Sequence, residues 1–168
     1  MNCLSCDGVL EEVYGQSHHC CRSCNVYQFP NGLDEGLVPI TSCGQTTSFL
    51  CPKCEVCLEV GSITDSVQVC FCNNCRGFVT SSQSLGQLIA QMRSAYQGPD
   101  DRPQPLNPQE LGIYDACPAC RERMDSHPYY GPGNLVLNTC NRCQLAWLDH
   151  GELAKIIRAP GPRAPSDL

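Results

Sequence analysis

Six times along the chain two cysteines stand with two residues between them, and the six pairs fall into three sets. The first set is Cys3/Cys6 with Cys21/Cys24, the second Cys51/Cys54 with Cys72/Cys75, the third Cys117/Cys120 with Cys140/Cys143. Counting the residues strictly between the two pairs of each set gives 14, 17 and 19, each a hairpin's length. A C-x2-C turn points two thiolates the same way, and two such knuckles on neighbouring hairpins complete a tetrahedron of metal–sulfur bonds near 2.3 Å. The pattern predicts a small, metal-dominated, mostly β fold of three zinc ribbons, each built from β-hairpin knuckles.

Composition supports metal over the other uses of cysteine. Sixteen of the 168 residues are cysteine, aromatics make up only 7%, and the aliphatic residues come in short runs. No single segment carries enough apolar side chain for a large core, so disulfides or metal must contribute to folding. The first residues, Met1-Asn2-Cys3, offer no basic start or apolar stretch of a secretory signal, and no run of about 18 apolar residues is present. The expectation is a cytoplasmic, metal-bound chain with no membrane span, because a reducing compartment favours thiolate ligands over disulfides. Three Zn2+ are expected; iron held by four thiolates, as in rubredoxins, is the alternative occupant.

The sets organise the rest of the chain. Residues 1–42 read as the first ribbon, 43–97 as the second with an amphipathic helix, and 114–158 as the third. The stretch GPDDRPQPLNPQELG, within 98–113, reads as a Pro-rich linker, and 159–168 as a disordered tail. CNNCRGFVTSSQSLGQLI and CNRCQLAWLDHGELAKII align without gaps, placing Leu153 over Leu85 and Ile156 over Leu88. A short helix is therefore expected after both the second and third units. Leu85, Leu88, Ile89, Met92 and Tyr96 recur at helical spacing behind Ser84 and Gln87, which suit a capping box. That apolar face suits packing on its own ribbon better than docking to a partner.

Two ambiguities remain at this level. The first unit reads HHCCRSC, so His18, His19 or Cys20 competes with Cys21 as a ligand, although the spacing of every other pair favours Cys21. Cys20, Cys43, Cys57 and Cys70 are left over. Small buried residues are the expected reading, and a redox pair or additional metal the alternative.

The third unit, C117-P-A-C120 followed by C140-N-R-C143 and W147-L-D-H-G-E-L153, resembles the transcription-factor-IIB-type zinc-ribbon family of small bacterial proteins, whose pattern is CPxC…CxxCxGxWLDxGEL. The match covers about forty residues. The resemblance implies zinc at all twelve cysteines, and a Trp-Leu-Asp packing arrangement in unit three alone. Leu145 replaces the family's glycine after the second pair, whereas unit two keeps a glycine there, Gly77, but has Val79 for the tryptophan.

The formal charge is −6, and each Zn2+ held by four thiolates adds two negative charges, which takes three loaded sites to about −12. Such a chain is poorly suited to phosphate contacts. Arg121, Arg123, Arg142, Lys155 and Arg158 do gather in unit three beside Tyr129, Tyr130 and Trp147, but Asp115, Glu122, Asp125, Asp149 and Glu152 offset them. The functional expectation is a non-catalytic zinc protein that binds another protein as a platform or adaptor, with transcription as a candidate setting. Nucleic-acid binding is the first alternative and thiol-redox or metal handling the second. Asp149, His150 and Glu152 look like a catalytic cluster, yet they read as a helix start: Asp149 as cap, His150 as first helical residue, Glu152 as the reciprocal partner of a capping box.

Overall fold

The computed structural model describes residues 2–3, 6–12, 19–24, 27–28 and 39–163. Strands β1 (Leu10–Glu12), β2 (His19–Cys21) and β3 (Tyr27–Gln28) form an antiparallel sheet beside the first cysteine set. Its core is Cys3, Leu10 and Cys21, with Cys24 packed against them.

The remaining strands form a single sheet. They are β4 (Ile40–Leu50), β5 (Cys57–Ile63), β6 (Val67–Phe71), β7 (Phe78–Ser81), β8 (Asp125–Pro128), β9 (Val136–Cys140) and β10 (Leu145–Leu148). Their spatial order is β4-β5-β6-β7-β10-β9-β8. This corrects the expectation of three separate ribbons: the second and third units share one seven-stranded sheet. The physical reason lies in β7 and β10, the apolar strands that follow the second knuckle of each unit. Left as edges, both would present unpaired backbone groups and apolar side chains to water; paired, they satisfy each other.

The pairing register is informative. Ser81 faces Leu145, Thr80 faces Ala146, Val79 faces Trp147 and Phe78 faces Leu148. In the gap-free alignment of the two units, Val79 is equivalent to Trp147, Phe78 to Ala146 and Thr80 to Leu148. Equivalent residues thus meet at the centre, and their neighbours exchange partners on either side. The two units are related by a local two-fold axis through the Val79–Trp147 pair.

Alternation along the strands gives the sheet two distinct faces. One carries Val67, Val69, Phe71, Phe78, Leu137, Ala146 and Leu148 beneath two helices, α1 (Ser82–Ala95) and α2 (Glu152–Arg158). Leu85, Leu88 and Ile89 of α1 join Leu153, Ile156 and Ile157 of α2 in this core, with Met92 and Tyr96 packed at its border. The helical periodicity seen in the sequence is therefore a core stripe, but it covers both units rather than one. The other face carries Leu58, Val79, Met124 and Trp147 together with metal-set cysteines.

The N-cap of helix α1 lies three residues before the expected Ser84. Ser81, extended at the end of β7, is its N-cap and accepts the Ser84 N–H at 3.0 Å. Helix α2 begins at Glu152, with Gly151 in the left-handed region (φ 85°) as N-cap, so Asp149 is not the cap and His150 lies in the turn before the helix. Half of the expected capping box exists, since Glu152 Oε2 accepts the Asp149 N–H at 2.8 Å.

The end of the Pro-rich stretch and the residues after it touch β8 and the turn before it. Ser126 Oγ donates to the Ile113 carbonyl, Met124 N–H donates to the Asp115 carbonyl, and Pro108–Gly112 form a 3-10 helix. At the far end, Arg93 of α1 is buried and its guanidinium donates to the carbonyls of Ile156, Ala159 and Pro162, closing the C-terminus of α2. The residues expected to begin a disordered tail are held through Pro162 by this contact; residues 164–168 lie outside the described residues. Arg93→Ala is expected to lower stability by about 2–3 kcal/mol, because several buried carbonyls lose a charged donor. A denaturant midpoint equal to that of the parent would refute that role.

Candidate metal centres

Each cysteine set converges in space. In Cys3/Cys6/Cys21/Cys24, Cys51/Cys54/Cys72/Cys75 and Cys117/Cys120/Cys140/Cys143, the four sulfurs lie within 4.8 Å of one another. Individual Sγ–Sγ distances are 3.6 Å for Cys3–Cys24, 3.5 Å for Cys6–Cys21, 3.6 Å for Cys51–Cys75 and 3.8 Å for Cys120–Cys140. A disulfide needs about 2.05 Å. The edge of a tetrahedron with metal–sulfur bonds near 2.3 Å is about 3.8 Å. The sulfur spacing therefore fits a four-thiolate ion site and not a disulfide, and each group can hold a metal ion.

The backbone explains the convergence. In the knuckle of Cys51, the Cys51 N–H donates to the Val56 carbonyl and the Glu55 N–H to the Cys51 carbonyl, at 2.8 and 2.9 Å. The same two bonds recur at Cys3, Cys72 and Cys117. The residue after the second cysteine is left-handed in five knuckles: Asp7 (φ 58°), Glu55 (57°), Arg76 (63°), Arg121 (64°) and Gln144 (55°). None is glycine, so each knuckle holds a conformation that an L-residue adopts at a cost of about 1 kcal/mol. Metal binding is the natural source of the compensating energy.

Electrostatics point the same way. Burial raises the Cys21 thiol, but backbone N–H groups of Cys24 and Ser23 and the neighbouring Cys6 outweigh it and bring it down to about 6. Hydrogen bonding to Cys120 and burial push Cys143 up to about 12. In every set some thiols are lowered while others are raised: Cys72 against Cys75, Cys120 against Cys117. Four thiols this close cannot all ionise unless a cation sits among them.

In the first unit the structure selects Cys21 for the group, with Cys24. His19 stands on β2, half-buried, with Nδ1 buried and without a hydrogen-bond partner among the described residues; Cys20 is half-buried beside it, and burial raises its thiol. His18 lies outside the described residues. Among the remaining thiols, Cys43 and Cys57 are exposed and Cys20 and Cys70 half-buried, which corrects the expectation of small buried residues. Among the described residues these four join no further metal-binding group.

A charged cluster that the sequence did not reveal ties units two and three together. Lys53, inside the CPKC knuckle of unit two, has its Nζ 2.9 Å from Asp115 Oδ2 and 3.6 Å from Asp149 Oδ2 of unit three. The side chains are 27%, 7% and 13% exposed, so the pairs are shielded from water. Burial lowers the Lys53 affinity for its proton, but the charges of Asp149 and Asp115 outweigh that and hold it well above the ordinary lysine range. Asn138 Nδ2 also donates to Asp115 at 2.7 Å, and Trp147 Nε1 donates to Asp149 Oδ1 at 2.9 Å. A Lys within a knuckle and an Asp two residues before another carry no periodic signal, which is why only the folded chain brings them together. Lys53→Met is expected to cost about 3–5 kcal/mol, because it strands two buried carboxylates, and the loss should shrink when Asp115→Asn is added. Chemical denaturation of the single and double variants measures it; strictly additive losses would dissolve the cluster as a unit.

Glu152 supplies a pH test. Burial, reinforced by the charge of Asp149, raises its carboxyl well above the ordinary range. The folded state therefore holds the Glu152 proton more tightly than the unfolded state does. Its contribution is complete below about pH 4.5 and is lost as pH rises through the raised value. Between pH 5 and 8 the parent should lose stability relative to Glu152→Gln, read as the difference of their Tm values; a difference constant with pH contradicts the assignment.

Searches of family models, curated proteins and solved structures find no match to this chain, so its functional reading rests on the geometry above.

Proposed function

We propose that the protein is a non-catalytic zinc protein whose three tetra-cysteine sites are structural, and that it serves as a binding platform for another protein inside a reducing compartment. The observation that carries this reading is the donor set. Each group offers four thiolates from two rigid knuckles, a closed sphere that leaves no coordination position for substrate, whereas catalytic zinc usually keeps one open. Four thiolates in a tetrahedron suit Zn2+ well, and iron is the competing occupant. The third unit is best read as a transcription-factor-IIB-type ribbon, on the strength of its WLDHGEL stretch.

A protein partner is favoured over nucleic acid by the use of the cations. Among the described residues, Arg22 pairs with Glu11, Arg142 with Glu122 and Arg163 with Asp100, while Lys53 and Arg93 are engaged inside the fold. Arg123 lies over the Tyr114 ring, 3.0 Å from its centroid, and Arg121 donates to the Leu50 carbonyl. Ile113, Tyr114 and Tyr130 are meanwhile 45%, 49% and 90% exposed, the kind of side chain that anchors protein interfaces.

Metal analysis and thiol titration of the native protein test the structural part. Three zinc ions per chain are expected, with reactive thiols confined to the exposed Cys43 and Cys57. Iron, or fewer than three ions, contradicts it. Affinity capture from the native host, paired with gel-shift titration at low salt, tests the partner class: a salt-sensitive nucleic-acid complex would replace the protein reading.

A further inference from the structure

We infer that the second and third cysteine sets form one metal-dependent folding unit that gains and loses its two ions together, while the first set loads independently and surrenders its ion first. The inference rests on the reading of all three sets as metal sites.

Four features link sets two and three. The local two-fold places β7 and β10 side by side, so each unit supplies the other's central strand neighbour. Cys51, Cys72 and Cys75 of one set share a single buried cluster with Cys117 and Cys140 of the other, around Trp147. Lys53, held between two cysteines of set two, is paired with Asp115 and Asp149 of unit three. Knuckle touches knuckle as well, since the Leu50 N–H donates to the Pro118 carbonyl at 3.0 Å.

Neither unit therefore retains a complete core once the other opens. Metal-binding energy is folding energy in such sites, and a cooperative element opens as a whole. Losing the ion of set two must then weaken set three to a similar degree, and the reverse.

Among the described residues set one shows none of these links. Its three-stranded sheet is hydrogen-bonded separately from the seven-stranded one. Its buried cluster consists of Cys3, Leu10 and Cys21, and Cys6 is exposed. A chelating molecule, or a protein that accepts metal, reaches this set without disturbing the platform. The geometry gives the chain two kinds of site: one ion that is exchangeable and two that are retained as a pair.

Native mass spectrometry of the intact, zinc-loaded chain during titration with EDTA tests this. The expected series runs from three ions to two to none, with the one-ion species scarce throughout. Accumulation of one-ion chains overturns the coupling. In the same assay Cys24→Ser should keep two ions and an unchanged Trp147 emission, whereas Cys75→Ser and Cys143→Ser should each keep only one. Retention of two ions by Cys75→Ser would overturn the proposal, and the titration of the parent chain decides the matter if a variant aggregates. A parent protein that carries no metal defeats the underlying metal reading as well. One that carries three ions and sheds them singly leaves that reading intact and defeats only the coupling.

Discussion

Excess chelator is expected to unfold the seven-stranded body of the zinc-loaded chain, with loss of its β circular-dichroism signal and a red shift of Trp147 emission. Readdition of zinc should restore both signals, and magnesium should restore neither. The magnitude argument is direct. A structural zinc contributes on the order of 10–16 kcal/mol of apparent binding energy, while a whole domain is typically stable by about 5–15 kcal/mol. Two of the groups that can hold such an ion lie on one face of this sheet, where cysteines make up five of the nine buried residues in the cluster. The helix face has an apolar core of its own, but its strands run straight into knuckles whose left-handed residues lose their compensation once the ion leaves. A metal-free chain with unchanged spectra would show that the cysteine groups are not needed for the fold.

The second large effect is centred on Trp147. Its side chain is almost completely buried at the two-fold, on the metal face, and its indole N–H is bonded to Asp149. Trp147→Ala is expected to cost about 3–5 kcal/mol, the range for emptying a buried aromatic site. The indole also explains Gly77. A Cβ placed there would lie 2.4 Å from Trp147 Cζ2 and 3.1 Å from the Leu148 carbonyl oxygen. Gly77→Ala should therefore cost about 1–3 kcal/mol in the parent through overpacking, and clearly less in the Trp147→Ala background. A double-mutant cycle from urea denaturation measures the coupling, and additivity would separate the two residues.

That contact also has a counterpart across the local two-fold axis. Gly77 of unit two lies against Trp147 of unit three. In the symmetry-equivalent place the chain has Leu145 and Val79, both part of the metal-face cluster. A large residue beside a glycine on one side of the axis is matched by two mid-sized residues on the other. Read one unit at a time, Leu145 and Val79 show no relation to Gly77 and Trp147; across the axis the two pairs are complementary fillings of one interior.

How legible the protein was depends on the range of the interaction. Spacing of the cysteines determined which twelve would gather and in what sets, because a C-x2-C knuckle is made by local backbone geometry and needs only a matching hairpin to close. The apolar period at Leu85, Leu88 and Ile89 determined a helix and its buried face, again a property of consecutive residues. Helix starts were less legible: Ser81 and Gly151 hold the caps that Ser84 and Asp149 were expected to hold, because the ends of β7 and β10 set where the chain can turn. Asp149 is engaged with Trp147 and Lys53, and the latter partner lies almost a hundred residues earlier in the chain.

The tertiary structure alone decided that the second and third units are one body. Nothing in a single strand states which edge it will meet, and β7 and β10 are short apolar strands that any edge might have satisfied. Their antiparallel pairing about Val79 and Trp147 pools two incomplete cores, brings Lys53 between two aspartates, and stacks α1 on α2. The sequence by itself determined the metal chemistry, since that is written in residue type and local spacing. Only the fold decided that two of the three cysteine groups belong to one seven-stranded sheet, since that depends on surfaces meeting across long distances in the chain.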